Sequence, residues 1–191
     1  MSKDLENFFN RQFDEHNRVA SNCQKKLQSS FLKIIKICLK SLKRKKKILF
    51  FGNGGSASDA QHLATELTVR FSKDRRAIPA ISLVTDTSAL TAVGNDYGFD
   101  KIFERQVEAL ANGGDILIGI STSGNSDNVL KAIEKGKELG CITIGFLGKD
   151  GGKLKEICNY SIIVPSTTTA RIQEMHIMIG HIVCEYIDEN Y

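Results

Sequence analysis

The sequence predicts an α/β fold: a doubly wound, five-stranded parallel sheet flanked by helices, with a helical extension at its amino-terminal end. Three observations predict it. Five short apolar runs, Ile48–Phe51, Ile81–Val84, Ile116–Ile120, Ile142–Phe146 and Ser161–Val164, have the continuous character of strands buried on both faces. Helical stretches separate most of them, which calls for crossovers and helices on both sides of a sheet. Loops rich in Gly, Asn and Ser follow the first and third runs. Ligands in such folds sit there, beyond the carboxyl ends of the strands.

Taken in order, residues 3–43 read as helix. Phe31, Ile34, Ile35, Cys38 and Leu42 recur at three- and four-residue steps and share one face, with Lys33, Lys36, Lys40 and Lys43 between them. A basic amphipathic helix can mark a membrane or partner surface. The plainer reading, a packing helix with a solvated lysine face, is preferred. The run Lys43-Arg44-Lys45-Lys46-Lys47 reads likewise as a turn before the first strand rather than a nucleic-acid patch. Further helices are expected at about 56–71, 100–111 and 126–139, with a closing helix over about 168–189. With 191 residues, two prolines and no Ser/Pro-rich linker, residues 1–191 read as one domain.

Hydrophobic residues make up 41% and charged residues 25%, so a core forms and disorder is excluded. A net charge of +4 is too slight for a nucleic-acid partner and favours small anions. The five cysteines, Cys23, Cys38, Cys141, Cys158 and Cys184, form no C-x-x-C pair, which argues for a reducing, cytoplasmic setting. The amino terminus does not lead into an apolar run, so neither a signal peptide nor a membrane span is expected.

The first loop is Gly52-Asn53-Gly54-Gly55-Ser56-Ala57-Ser58. Its glycines let backbone approach a ligand, and amides at the start of the following helix favour an anion. The loop also fits G-x-G-x-x-A, a weak dinucleotide fingerprint, with Asp86 as a conceivable ribose partner; a Walker A loop is excluded because no Gly-Lys-Ser/Thr follows. The second loop, Ser121-Thr122-Ser123-Gly124-Asn125-Ser126, gathers four hydroxyls around a glycine. An ordinary cap at Ser126 explains one hydroxyl. Four, together with helix-start amides, suit a terminal phosphate. A second anion loop also argues against a dinucleotide, whose pyrophosphate needs only the first.

His62 and Glu66 stand four apart on the helix after the first loop and share a face. That pair can hold a divalent metal or act as acid and base. On the closing helix Gln173 and His181 are eight apart, about 12 Å along the axis, and project broadly the same way. His176 lies around the helix from His181 and reads as a packing residue.

Together Gly52–Ser56, His62, Glu66, Gly94-Asn95-Asp96, Ser121–Ser126, Gly148-Lys149-Asp150-Gly151-Gly152 and Arg171-Ile172-Gln173-Glu174 with His181 resemble the sedoheptulose 7-phosphate (phosphoheptose) isomerase family of the sugar isomerase (SIS) fold, over nearly the whole chain. The resemblance implies conversion of D-sedoheptulose 7-phosphate to D-glycero-D-manno-heptose 7-phosphate, the start of nucleotide-activated heptose synthesis for bacterial surface polysaccharide. It implies a homotetramer with sites at subunit contacts, residues 1–45 serving oligomer packing, and one zinc per subunit. It assigns the metal to His62, Glu66, Gln173 and His181, and catalysis to Glu66 and His181, in either order of acid and base. Substrate contacts fall on Asn53, Gly54, Gly55, Asn95, Asp96, Ser121, Thr122, Ser123, Ser126 and Gln173. Some members carry Asp before the Arg-Ile-Gln run where this chain has Ala170, so no acid–base role is carried to that position.

Two rivals remain at this level. One is a non-catalytic SIS-fold protein that binds a replication initiator or acts as a sugar-phosphate regulator; retention of His62, Glu66 and His181 together speaks against it. The other is a dinucleotide-dependent oxidoreductase, supported by the glycine loop alone.

Overall fold

The computed structural model describes residues 2–191. Helix α1 (Ser2–Lys43) leads into β1 (Ile48–Gly52), α2 (Gly55–Thr68), β2 (Ala80–Ser82) and α3 (Thr87–Asp96). A 3-10 turn (Phe99–Lys101), α4 (Glu104–Leu110), β3 (Ile116–Ser121), α5 (Asp127–Glu138), β4 (Ile142–Gly148), α6 (Gly152–Ile157), β5 (Tyr160–Val164) and α7 (Thr169–Asn190) follow. The strands form one parallel sheet in the order β2-β1-β3-β4-β5. From β1 the chain winds outward to β2, then returns across β1 to begin β3. The switch point therefore lies between β1 and β3, where Gly52 is level with Ile120.

Strand side chains alternate between two cores, as the pleat requires. Phe50, Ile118, Ile120 and Phe146 join α1, α2 and α7 on one face, while Leu49, Phe51, Leu117 and Leu147 join α4, α5 and α6 on the other. Both faces are covered, which is why the strands read as unbroken apolar runs. On α1, Ile34, Ile35, Cys38 and Leu42 are buried and the four lysines of the opposite face are exposed, as the packing-helix reading required. The basic run is a turn with Lys45 in the left-handed region (φ 60°).

Two helices were not expected. α3 buries none of its residues, so it carries no apolar stripe. α6 has six residues, too few for a period to show. The helix expected at 100–111 is split, because Ile102 and Phe103 turn into the core between the 3-10 turn and α4. No helix among the described residues is long and apolar enough to cross a membrane. All five cysteines are free, and burial pushes the Cys38, Cys158 and Cys184 thiols up to about 12.

α7 lies against α2, and the segment after α2 ties them together. Asp188 of α7, its side chain fully buried, accepts from the Ser72 and Lys73 amides and from Arg75 Nε at 2.6 Å. Arg75 in turn donates to the carbonyls of Glu66 (3.0 Å) and Leu67 (2.9 Å), closing the carboxyl end of α2. Burial alone would raise the Asp188 carboxyl, but the Lys73 and Ser72 amides and the Arg75 guanidinium hold it down to about 2. A depressed carboxyl stabilises the fold above its ordinary value and loses that contribution as pH falls from about 4 towards 2. We expect Asp188→Asn to cost about 3 kcal/mol at pH 7, because it strands the Arg75 charge. Denaturant titration should show this loss, and acid titration should show the variant without the extra drop between pH 4 and 2.

Candidate active site

α2 and α7 run parallel and side by side. Gly55 faces Gln173, Leu63 faces Gly180, and the Leu63 carbonyl lies 3.8 Å from Cys184 Sγ. A Cβ on Gly180 would sit 2.6 Å from the Leu63 methyls, so this glycine sets how closely the helices approach. Leu63 is 1% exposed and has nowhere to turn. The next residues along, His62 and His181, meet above that contact.

There the Nε2 atoms of His62 and His181 are 3.3 Å apart, and His62 Nε2 is 3.0 Å from Glu66 Oε1. One ligand atom from each of His62, Glu66 and His181 lies within 4.8 Å of the other two. Donors about 2.0–2.2 Å from a tetrahedral zinc stand about 3.3–3.6 Å from one another, so two nitrogens and a carboxylate oxygen at this spacing fit such an ion. The Phe71 ring packs at 5.7 Å from the His181 ring and walls one side. Gln173, on the same face of α7, presses its amide on Gly55, towards the glycine loop from the three ligand atoms.

The second loop gathers its hydroxyls at the start of α5. Ser126 begins α5, yet its hydroxyl makes no capping bond and lies 3.0 Å from Ser121 Oγ. Ser121 Oγ also accepts from the Gly124 amide and stands 3.5 Å from Ser123 Oγ. Thr122 is half-buried beside them. The hydroxyls therefore cluster on one another and leave the Asp127 and Asn128 amides uncapped, while the Val129 amide donates to the Ser126 carbonyl. Gly124 is left-handed (φ 68°), and a Cβ there would fall on the Gly151 carbonyl, so the loop rests against the β4–α6 turn. Gly54 and Gly55 open α2 with no side-chain cap, although the Ser56 and Ala57 amides already donate to the Asn53 and Gly54 carbonyls. Asn95 and Asp96 lie exposed at the end of α3, joined to each other at 2.8 Å.

Residues 12–148 match the SIS domain family. A Nitratiruptor relative named phosphoheptose isomerase is 58% identical over 177 residues, covering 93% of this chain and 95% of its own. A Campylobacter jejuni relative of the same name is 50% identical over 97% of this chain and 99% of its own. The solved phosphoheptose isomerase of Neisseria gonorrhoeae superposes with a TM-score of 0.92 at 43% identity, covering 97% of this chain and 99% of that one. That of Francisella tularensis gives 0.93 at 37%, over 96% and 97%.

The chain belongs to the phosphoheptose isomerase family.

The SIS domain match stops at β4, so Gln173 and His181 lie beyond it; the family relatives extend over them. His176 is fully buried, donates through Nε2 to the Leu147 carbonyl at 2.9 Å, and is pushed down to about 4 by burial, so it is a neutral packing group. Two polar groups beside the site escaped sequence reading. Asp59, one turn before His62, has a buried carboxylate oxygen without a partner and is pushed up to about 6 by burial, with His62 pulling it back. Its i, i+3 spacing to His62 was the available signal. Asn128, 3% exposed, pairs with Asn53. Its signal was a polar residue on the apolar face of α5, four before Ala132.

For a phosphoheptose isomerase, the Leu63–Gly180 contact predicts a specific sensitivity. Gly180→Val should part α2 from α7 and weaken any divalent-ion binding by the His62, Glu66 and His181 cluster at least about tenfold, as loss of the structure supporting metal ligands does. Zinc titration with circular dichroism as a folding control checks this. Unchanged affinity in the folded variant would separate the metal cluster from helix spacing.

Proposed function

We propose that the chain interconverts D-sedoheptulose 7-phosphate and D-glycero-D-manno-heptose 7-phosphate, the first step of nucleotide-activated heptose synthesis for bacterial surface polysaccharide. The observations that carry it are the convergence of His62, Glu66 and His181 where α2 meets α7, and the hydroxyl loop at the carboxyl end of β3.

The serine loop takes the phosphate, so binding energy remote from the reaction holds the reacting carbons in place. Backbone of the glycine loop, with Gln173, takes the sugar hydroxyls. Asn95 and Asp96 join from α3, whose exposed surface suits a site completed across subunits. His62, Glu66 and His181 would hold one zinc; Gln173 lies against Gly55, about 12 Å along α7 from His181, so a fourth donor of that kind would be the partner subunit's Gln173. When bound there, zinc would supply Lewis-acid polarisation of the substrate carbonyl.

The donor and proton roles draw on different atoms. Glu66 Oε1 faces His62, leaving Oε2 to take the proton from C1 of the ketose. His181 Nε2 faces His62, leaving Nδ1 for proton exchange with the sugar oxygens. Removal of the C1 proton and protonation of O2 give the enediol. Return of a proton to C2 and loss of one from O1 give the aldose. Exposed Leu5, Phe8, Phe9 and Phe13 on α1, and the apolar groove of about 710 Å³ between α1 and α7, support a homotetramer in which residues 1–45 form contacts. The free, high-pKa thiols support a cytoplasmic setting.

Glu66→Gln keeps size and loses the base. It should lower kcat by about 10²–10⁴ while sugar-phosphate affinity changes little. Turnover assays and calorimetry check this, and a variant with full kcat removes Glu66 from the carbon-proton step.

A further inference from the structure

One contact joins the two loops that flank the switch point. Asn53 Nδ2 donates to Asn128 Oδ1 at 2.8 Å, and Asn128 Nδ2 donates to Asn53 Oδ1 at 2.8 Å. The two amides thus close a ring of two hydrogen bonds, each giving one N–H and one carbonyl. Asn53 sits within the glycine loop. Asn128 is the second residue of α5, directly behind the serine loop, and is buried alongside Val129, Leu130, Ala132 and Ile133. Burying a side-chain amide costs stability unless it is matched, so an apolar residue there would be the simpler choice for folding alone.

The β1–β3 ladder sets the bases of the loops, with Gly52 level with Ile120. The amide ring extends that tie past the strand ends. Asn128 holds the glycine loop through its side chain, while its own backbone belongs to the first turn of α5, where the amides are left to an anion.

We infer that Asn128 is a positioning residue for sugar-phosphate recognition: through Asn53 it fixes the loop that meets the sugar against the loop that meets the phosphate. The Asn53 side chain acts through this brace, and the glycine loop meets the sugar with its backbone N–H groups. The inference rests on reading the serine loop as the phosphate holder. It predicts that the two ends of the ligand respond differently when the brace is cut.

The test uses the Glu66→Gln protein, in which binding is measured without turnover. Inorganic phosphate and sedoheptulose 7-phosphate are titrated by calorimetry into that parent and into versions adding Asn128→Ala, Asn53→Ala or both. Phosphate affinity should stay within about twofold throughout, and sugar-phosphate affinity should fall about tenfold in each single variant and no further in the double. Melting temperature should drop in Asn53→Ala, which strands a buried amide, and partly recover in the double. Equal loss of both ligands in Asn128→Ala would overturn the brace in favour of a general structural role. Additive losses in the double variant would overturn it by showing that Asn53 touches the sugar directly. A parent that binds neither ligand would instead overturn the phosphate reading of the serine loop, and the brace with it.

Discussion

The chemistry of this molecule depends on how closely two parallel helices approach. α2 leaves the central strand through the glycine loop, so its start is fixed by the sheet. α7 comes from the far edge of the sheet and is brought alongside by the Leu63–Gly180 contact and, at the other end, by Asp188 holding Arg75 under the carbonyls of Glu66 and Leu67. Between those two ties lie His62, Glu66 and His181. A shift of one helix by about 1 Å would carry the nitrogens out of the few-tenths tolerance of a metal shell. The precision of the site is therefore a packing property, set by a missing Cβ and a buried ion pair.

The phosphate role proposed for the serine loop follows a different logic. The donors of the serine loop are hydroxyls and helix-start amides, which are neutral, and the first turn of α5 also carries the exposed Asp127. Such a cradle binds through fixed dipoles more than through net charge. That suits a ligand that must be released after each turnover, and it agrees with a chain whose net charge is only +4. The parallel ladder delivers this loop and the glycine loop to the same crevice without further adjustment.

Much of this was legible because the sheet is covered on both faces. Continuous apolar runs located all five strands, and the rule that ligands gather at strand carboxyl ends selected both loops before any contact was known. That His62 and Glu66 share a face was legible from spacing, while a functional role for the pair needed their place after the glycine loop. The partnership of His181 with them was not, because it requires α7 to lie parallel to α2 at a register set by Gly180, a residue without chemistry of its own. α3 was missed because it buries nothing, and α6 because six residues show no period. Asn128 was hidden in a helix whose apolar face otherwise looked complete. Ser126 was assigned to the phosphate set rather than to a cap, and the turn of its hydroxyl to Ser121 is a detail visible only once the loop is folded.

Proton transfer between neighbouring carbons is followed by NMR of zinc-supplied protein and sedoheptulose 7-phosphate in deuterated water. The account predicts that the heptose aldose appears with deuterium at C2, delivered by a base that exchanges with solvent. Folded, zinc-supplied protein that forms no aldose would contradict the assignment, and aldose without deuterium would contradict a solvent-exchanging base at Glu66.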